Sequence, residues 1–188
     1  MSLETELKFR VAKRKLESLT KARVAGVRVG KAASRHLTST YFDTPKKKLQ
    51  RHGLTMRVRQ AGDEYAQTVK TTAAGSASRG EWEAEIQQPT PIFHHIGQTP
   101  LAPLATKKTR RQLQPVFKAS VHRTTRPIHI GSSVIELAID RGNLLAKQRS
   151  EPIAEFELEL KKGRITDLFQ IAKTFERRTG AELAEVKS

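Results

Sequence analysis

Carboxylates and basic side chains stand at every second position in five stretches of this chain. Glu4 and Glu6 lead into Lys8 and Arg10; Arg57 and Arg59 follow, with Lys70 beyond them. Glu81, Glu83 and Glu85 come next, then Glu136 and Asp140, and finally Glu155, Glu157, Glu159 and Lys161. Carboxylates gathered from separate segments are oxygen ligands, which suit Mg²⁺ or Mn²⁺, ions that keep some of their waters and bridge to phosphate oxygens. Lysine and arginine bind those phosphates, arginine through two parallel hydrogen bonds. The chemistry open to such a set is therefore acids on a metal and bases on a polyphosphate. Rival chemistries are poorly served. Cysteine is absent, which removes disulfides and thiolate zinc sites. The adjacent His94 and His95 lie in a proline-rich stretch without further ligands nearby, and no Ser/His/Asp set stands out.

A period of two is the signature of an extended strand, whose side chains point to opposite faces in turn. In LETELKFRV (3–11) the charged face is backed by Leu3, Leu7, Phe9 and Val11; in LTMRVRQ (54–60) Leu54, Met56 and Val58 back Arg57 and Arg59. EYAQTVKT (64–71) returns as the second arm of a hairpin, and EWEAEI (81–86), VIELAID (134–140) and EFELELK (155–161) repeat the pattern. Ladders such as EFELELK carry a like-charge cost that something must offset. Two arrangements do so. The charged faces can look into water, where screening makes the cost small. Alternatively the sheet closes, so that charged faces share a lumen while apolar faces look outward under the helices; closure alternates interior with exterior residues and removes the strand edges.

The remaining stretches supply the covering layer. Residues 12–25 read as a helix with a thin apolar stripe (Leu16, Leu19, Ala22, Val24) and a basic face. Residues 73–80 form a small, polar loop, and 89–114, with prolines, glycines and the Lys107–Arg111 basic cluster, read as short helical turns. A strand covers 37–43, and one or two strands cover 116–130. A helix from Thr166 as N-cap to Thr179 precedes Gly180. At 188 residues and 37% hydrophobic content, 1–188 is expected to be one domain with a real core. Its 35 Lys and Arg against 19 Asp and Glu give a net charge of +16, which attracts polyanions. No apolar run approaches the roughly 20 residues of a membrane span, and the N-terminus lacks a signal-peptide pattern, so a cytoplasmic protein without membrane contact is expected.

The same residues resemble the CYTH superfamily of triphosphate tunnel metalloenzymes, which includes inorganic and thiamine triphosphatases and class IV adenylate cyclases. ETELK (4–8) is similar to its ExExK signature. Further matches run in family order: YFDT (41–44), the RxR at Arg57 and Arg59, TVK ending in Lys70, RxEWE at 79–83, Arg123, ELAIDRG (136–142) and EFELELK. The resemblance covers nearly the whole chain. It implies an α+β protein built on a closed eight-stranded antiparallel β-barrel that forms a charged tunnel, with helices packed outside. It also implies metal sites at Glu4, Glu6, Glu157 and Glu159, helped by Glu81 or Glu83 and by Asp140. Phosphate contacts would come from Lys8, Arg57, Arg59, Lys70 and Arg123, with Lys161 on the same face of the last strand. Arg123 shares its strand face with Phe117 and Val121, which predicts that it points outward unless a bulge intervenes. The spacing does not rank Glu155, Glu157 and Glu159. At the C-terminus, AEVKS stops where bacterial members continue through a Ser-Lys or Lys-Ser stretch, in some cases into a helical CHAD domain, so a chain cut short within a segment that begins at Lys187 is expected.

The expected function is hydrolysis of the terminal phosphoanhydride of inorganic triphosphate with Mg²⁺ or Mn²⁺, in which Lys8, Arg57, Arg59 and Lys70 serve catalysis. Only 5% of residues are aromatic, and Trp82 alternates away from the charged face, so no base-binding element is evident. The alternatives are a class IV adenylate cyclase, a thiamine triphosphatase, or a non-catalytic binder of polyphosphate or nucleic acid through the basic surface.

Overall fold

Alternating apolar and charged residues give ten strands among the residues that the computed structural model describes, 2–20, 26–71 and 78–184. They are β1 (Ser2–Arg10), β2 (Arg28–Val29), β3 (Ala33–Asp43), β4 (Leu54–Ala61), β5 (Glu64–Thr71), β6 (Ser78–Ile86), β7 (Gln114–Ile130), β8 (Ser133–Ala146), β9 (Arg149–Lys162) and β10 (Glu182–Leu183). Four helices accompany them: α1 (Lys13–Thr20), α2 (Lys48–Arg51), α3 (Lys107–Gln112) and α4 (Ile165–Thr179). All strand pairings are antiparallel, in the order β10-β1-β6-β5-β4-β3-β7-β8-β9, with β2 beside β7 and a further pairing of β1 with β9.

The α+β class and the antiparallel sheet are as expected, whereas the number of strands is not eight. The strand count is ten, two of them pairs of residues. At the seam, β1 pairs with β6 through Ser2–Thr5 and with β9 through Glu6–Arg10, and no residue of β1 pairs with both. Beyond Thr5 it is β10 that meets β1, at Phe9 and Arg10, so one edge of β1 is divided between two partners.

Apolar residues of the strands pack on the face away from the charges. Leu7 and Phe9 of β1, Leu137 and Ile139 of β8, and Phe156 and Leu158 of β9 form one cluster with Leu16 and Leu19 of α1 and Leu168, Ile171 and Phe175 of α4. Phe156 is fully buried, stacked on Phe9 at 4.8 Å and edge-on to Phe175 at 6.0 Å. Burying each such ring is worth about 1.5–3 kcal/mol. A second cluster covers β4 and β5, where Leu54, Met56 and Val69 meet Leu49 of α2 and Ile96, Leu101 and Ala105 of the middle segment. That segment consists of short helical turns, as its prolines predict.

Several boundaries move. The strand expected at 37–43 starts at Ala33, and the loop expected to run to Gly80 ends by Ser78, where β6 begins. Residues 114–130 form one 17-residue strand. Helix α4 starts at Ile165 with Arg164 at its N-cap, so Thr166 lies inside its first turn; Gly180 ends it at φ +64°, donating its N–H to the Glu176 carbonyl at 2.8 Å. Within YFDT, Asp43 is structural. Its buried carboxylate accepts backbone N–H bonds from Thr44 (2.7 Å), Leu49 (2.9 Å) and Gln50 (3.1 Å), tying the end of β3 to α2.

Candidate active site

Strand register assembles the charged side chains on one face. Lys8 of β1 lies opposite Glu157 of β9, and Arg123 of β7 opposite Asp140 of β8, which is itself opposite Glu155. The Lys8 ammonium sits 2.6 Å from Glu155 Oε1 and 3.1 Å from Glu157 Oε1. The Arg123 guanidinium donates to both oxygens of Asp140, at 2.8 Å from Nε and 2.6 Å from Nη2, and reaches across β8 to Glu157 Oε2 at 2.8 Å. Asp140, Glu155 and Glu157 thereby bring one carboxylate oxygen each to within 4.8 Å of one another.

A second group joins β4, β5 and β6. Lys70 contacts Glu81 Oε2 at 2.5 Å, and Arg57 lies 3.6 Å from the other Glu81 oxygen. Arg59 donates to Glu83 at 2.9 Å, as does the Thr68 hydroxyl at 3.1 Å; Arg57 Nε in turn donates to Thr68 Oγ1 at 3.3 Å. Because β1 pairs with both β6 and β9 the sheet curls, and on its charged face the pairs from Arg57 and Arg59 reach β6 over β5 while the Arg123–Glu157 pair passes over β8. Lys161 stays near the margin, 2.6 Å from Glu159 and 3.9 Å from Glu136.

The electrostatics follow from this packing. Burial acts to raise the Glu157 carboxyl, but Lys8 and Arg123 outweigh it and hold the group at about 2. Glu155 lies above the ordinary range, because burial exceeds the pull of Lys8, and Glu6 is raised by burial and then by the Glu157 charge. Lys8 and Arg123 are each raised: burial opposes their charge, and the carboxylates around them more than compensate. Arg59 is lowered by burial and by repulsion from Arg57.

Against the expectations from sequence, Lys8, Arg57, Arg59, Lys70, Glu81, Glu83, Asp140 and Glu157 all enter the ionic network of this face. Glu6 lies opposite Glu159 in the register, half-buried. The Glu4 side chain and Lys187 lie outside the described residues; the Glu4 backbone pairs with Arg79. One reading needs correction. Arg123 does share its face with Phe117 and Val121, but that face is the charged one, and the register of β7 with β3 and β8 is unbroken from Phe117 to Arg123 on the first strand and from Lys118 on the second. Phe117 stacks there on Tyr41 at 4.3 Å. The third carboxylate beside Asp140 and Glu157 is Glu155, while Glu159 turns to Lys161. Glu81 and Glu83 stand apart from that trio, with the β4–β5 cations. Glu155 was within reach of sequence reasoning only through the pairing of β8 with β9, which alternation alone does not supply.

An oxygen-only donor set, two of its members partly exposed and one buried, fits a hard divalent cation such as Mg²⁺ or Mn²⁺ and disfavours softer metals.

The CYTH domain family matches residues 2–187. The inorganic triphosphatase of Haemophilus influenzae is 34% identical over 148 residues, which make up 75% of this chain and 41% of that protein; the chain thus spans about two fifths of the curated relative it matches. Among solved structures, an adenylyl cyclase candidate from Hippeastrum, described as having a dominant triphosphatase activity, superposes with a TM-score of 0.64 at 12% identity, covering 98% of this chain and 92% of that one. An adenylate cyclase candidate from Bacillus halodurans gives 0.61 at 16% identity, covering 100% and 95%. At such identities the structural likeness speaks for the fold.

Proposed function

The chain belongs to the CYTH family, and on that premise we propose that it is a divalent-metal-dependent hydrolase of the terminal phosphoanhydride of inorganic triphosphate. The observation that carries this reading is the juxtaposition, on one concave face, of the Asp140, Glu155 and Glu157 oxygens with five cations, Lys8, Arg57, Arg59, Lys70 and Arg123. The similarity to the Haemophilus influenzae inorganic triphosphatase supports the substrate.

In this reading Asp140, Glu155 and Glu157 hold Mg²⁺ or Mn²⁺, and Glu4, Glu6 and Glu159 supply further oxygens. Glu81 and Glu83 orient Lys70, Arg57 and Arg59 instead of joining the trio. A bound divalent ion supplies charge neutralisation on the substrate's oxygens and lowers the pKa of water at the site. Arg57, Arg59, Lys70 and Lys8 bind the phosphate chain and stabilise the charge that develops on the transferred phosphoryl group, a contribution of positioning and electrostatics that needs no nucleophilic side chain. Lys161, at the margin, meets the anion on entry. The concave sheet closes round this site as a tunnel; the pairing of β1 with both β6 and β9 supports that closure.

One observation favours a second reading. The half-buried Tyr41–Phe117 stack stands on the charged face beside Arg57, the Cα partner of Tyr41, and would give the planar part of an organic triphosphate a surface to lie on. A class IV adenylate cyclase would use such a surface, and a thiamine triphosphatase could as well. The deciding experiment offers purified protein tripolyphosphate, ATP and thiamine triphosphate in parallel with Mg²⁺ or Mn²⁺. Phosphate release fastest from tripolyphosphate is expected; cyclic AMP as the main product would reject the proposal.

A further inference from the structure

The carboxylates proposed to hold metal and two of the cations proposed to hold phosphate already occupy one another. Lys8 bridges Glu155 and Glu157, and Arg123 bridges Glu157 and Asp140, so the groups alternate in sign along one line: Glu155, Lys8, Glu157, Arg123, Asp140. Each carboxylate of the trio has a cationic partner, and Glu157 has one on each oxygen. On the reading given above, we infer that this line is a latch that couples the two ligands. With neither bound, Lys8 and Arg123 cover the oxygens a divalent ion needs, and the carboxylates cover the charges a polyphosphate needs. Withdrawal of Lys8 toward phosphate uncovers Glu155 and one oxygen of Glu157 for metal, and arrival of metal frees Lys8. Each ligand therefore binds weakly alone and tightly with the other, by the same factor in both directions, as linkage requires.

The two cations are unequal as moving parts. Arg123 is fixed by two parallel bonds to Asp140 and a third to Glu157, with a side chain 20% exposed. Lys8 holds its partners with a single ammonium on a flexible stem, 39% exposed. Lys8 is the arm that swings and Arg123 the pivot that stays. Simple charge repulsion is a different explanation, since any cation nearby would oppose a metal ion. The two differ in that the latch demands contact with the trio, whereas repulsion acts from any position on the face.

Mn²⁺ binding to the full chain without phosphate, followed by the EPR signal of free Mn²⁺, separates them. Lys8→Met is expected to bind Mn²⁺ about 5- to 150-fold more tightly than the native chain. Arg35→Gln, which removes an exposed cation from the same face, opposite Arg123 in the register, is expected to change affinity less than about twofold. Equal tightening in both variants, or none in Lys8→Met, overturns the latch. A reciprocal measurement uses other variants, so it stands even if Lys8→Met does not fold: tripolyphosphate binding by calorimetry in excess EDTA, where metal-dependent turnover is suppressed. Glu155→Gln, which removes one of the two carboxylates that hold Lys8, is expected to tighten binding, and Glu85→Gln, an exposed carboxylate on the same face, is not; equal effects overturn the coupling. Binding that is undetectable in EDTA even in Glu155→Gln overturns the coupling, whereas absence of tripolyphosphate binding in every protein with Mg²⁺ present as well contradicts the proposed function itself, and the Mn²⁺ comparison then decides the latch.

Discussion

Glu157 is the residue on which the site turns, because among the described residues it alone touches both Lys8 and Arg123. Glu157→Gln takes one of two carboxylate partners from each of two cations, which keep Glu155 and Asp140, and losing hydrogen bonds to charged groups costs about 1.5–3 kcal/mol each. Urea denaturation is expected to show a loss of that order, alongside loss of metal-dependent turnover. Its pH dependence has a definite sign. The folded-state carboxyl is held at about 2, below the ordinary 4.5, so its contribution is complete above pH 4.5 and disappears as pH falls toward 2. Stability curves of the native chain and Glu157→Gln, measured across that window, are expected to converge at its acid end; a gap unchanged at every pH would contradict the assignment. Glu155, raised by burial, works in the opposite sense and favours the fold as it protonates. The type and facing of Lys8, Arg57, Lys70 and Glu157 are legible in period-two spacing. Arg123 is not: its strand carries Phe117 and Val121 on the charged face, so hydrophobicity assigns the wrong side.

At the scale of elements, the apolar faces behave as alternation predicts. Phe156, sealed between Phe9 and Phe175, joins β1, β9 and α4, and Phe156→Ala is expected to cost about 3–5 kcal/mol by chemical denaturation. Gly142 of β8 is a subtler constraint, since Arg141-Gly142-Asn143 reads from sequence as a turn, whereas the structure makes it strand. A Cβ there would come within 1.9 Å of the Ser120 carbonyl oxygen on β7, which is backbone and cannot rotate away. Gly142→Ala is expected to lose at least about 1–3 kcal/mol, the usual cost of overpacking; a neutral effect would show that β7 and β8 separate freely. Strand identity was thus open to pattern reading in most of the sheet, while strand length was not. β7, β8 and β9 run beyond the alternating stretches because cross-strand pairing, not side-chain pattern, sustains their ends.

For the whole molecule, the net charge of +16 admits two ways of meeting a polyanion. Surface binding through Lys and Arg weakens steeply with salt and needs no divalent ion, whereas the concave site depends on Arg57 and Arg59. Arg57→Ala is expected to lower turnover of tripolyphosphate by about 10²–10³, the usual loss when a preorganised charge-stabilising group is removed; anion binding that survives Arg57→Ala and Arg59→Ala and falls with salt would favour the surface. No described helix is long and apolar enough to cross a membrane. The architecture as a class was legible because apolar and charged faces alternate in phase over distant strands. The seam at β1 was not, since a two-residue strand such as β10 carries no periodicity. The central claim, that the carboxylates serve a metal which the cations serve with phosphate, is tested most directly by phosphate release from tripolyphosphate in Mg²⁺, in Mn²⁺ and in EDTA. Turnover is expected with at least one of the metals and is expected to vanish in EDTA. Hydrolysis at the same rate in EDTA, or none with either ion, would contradict it.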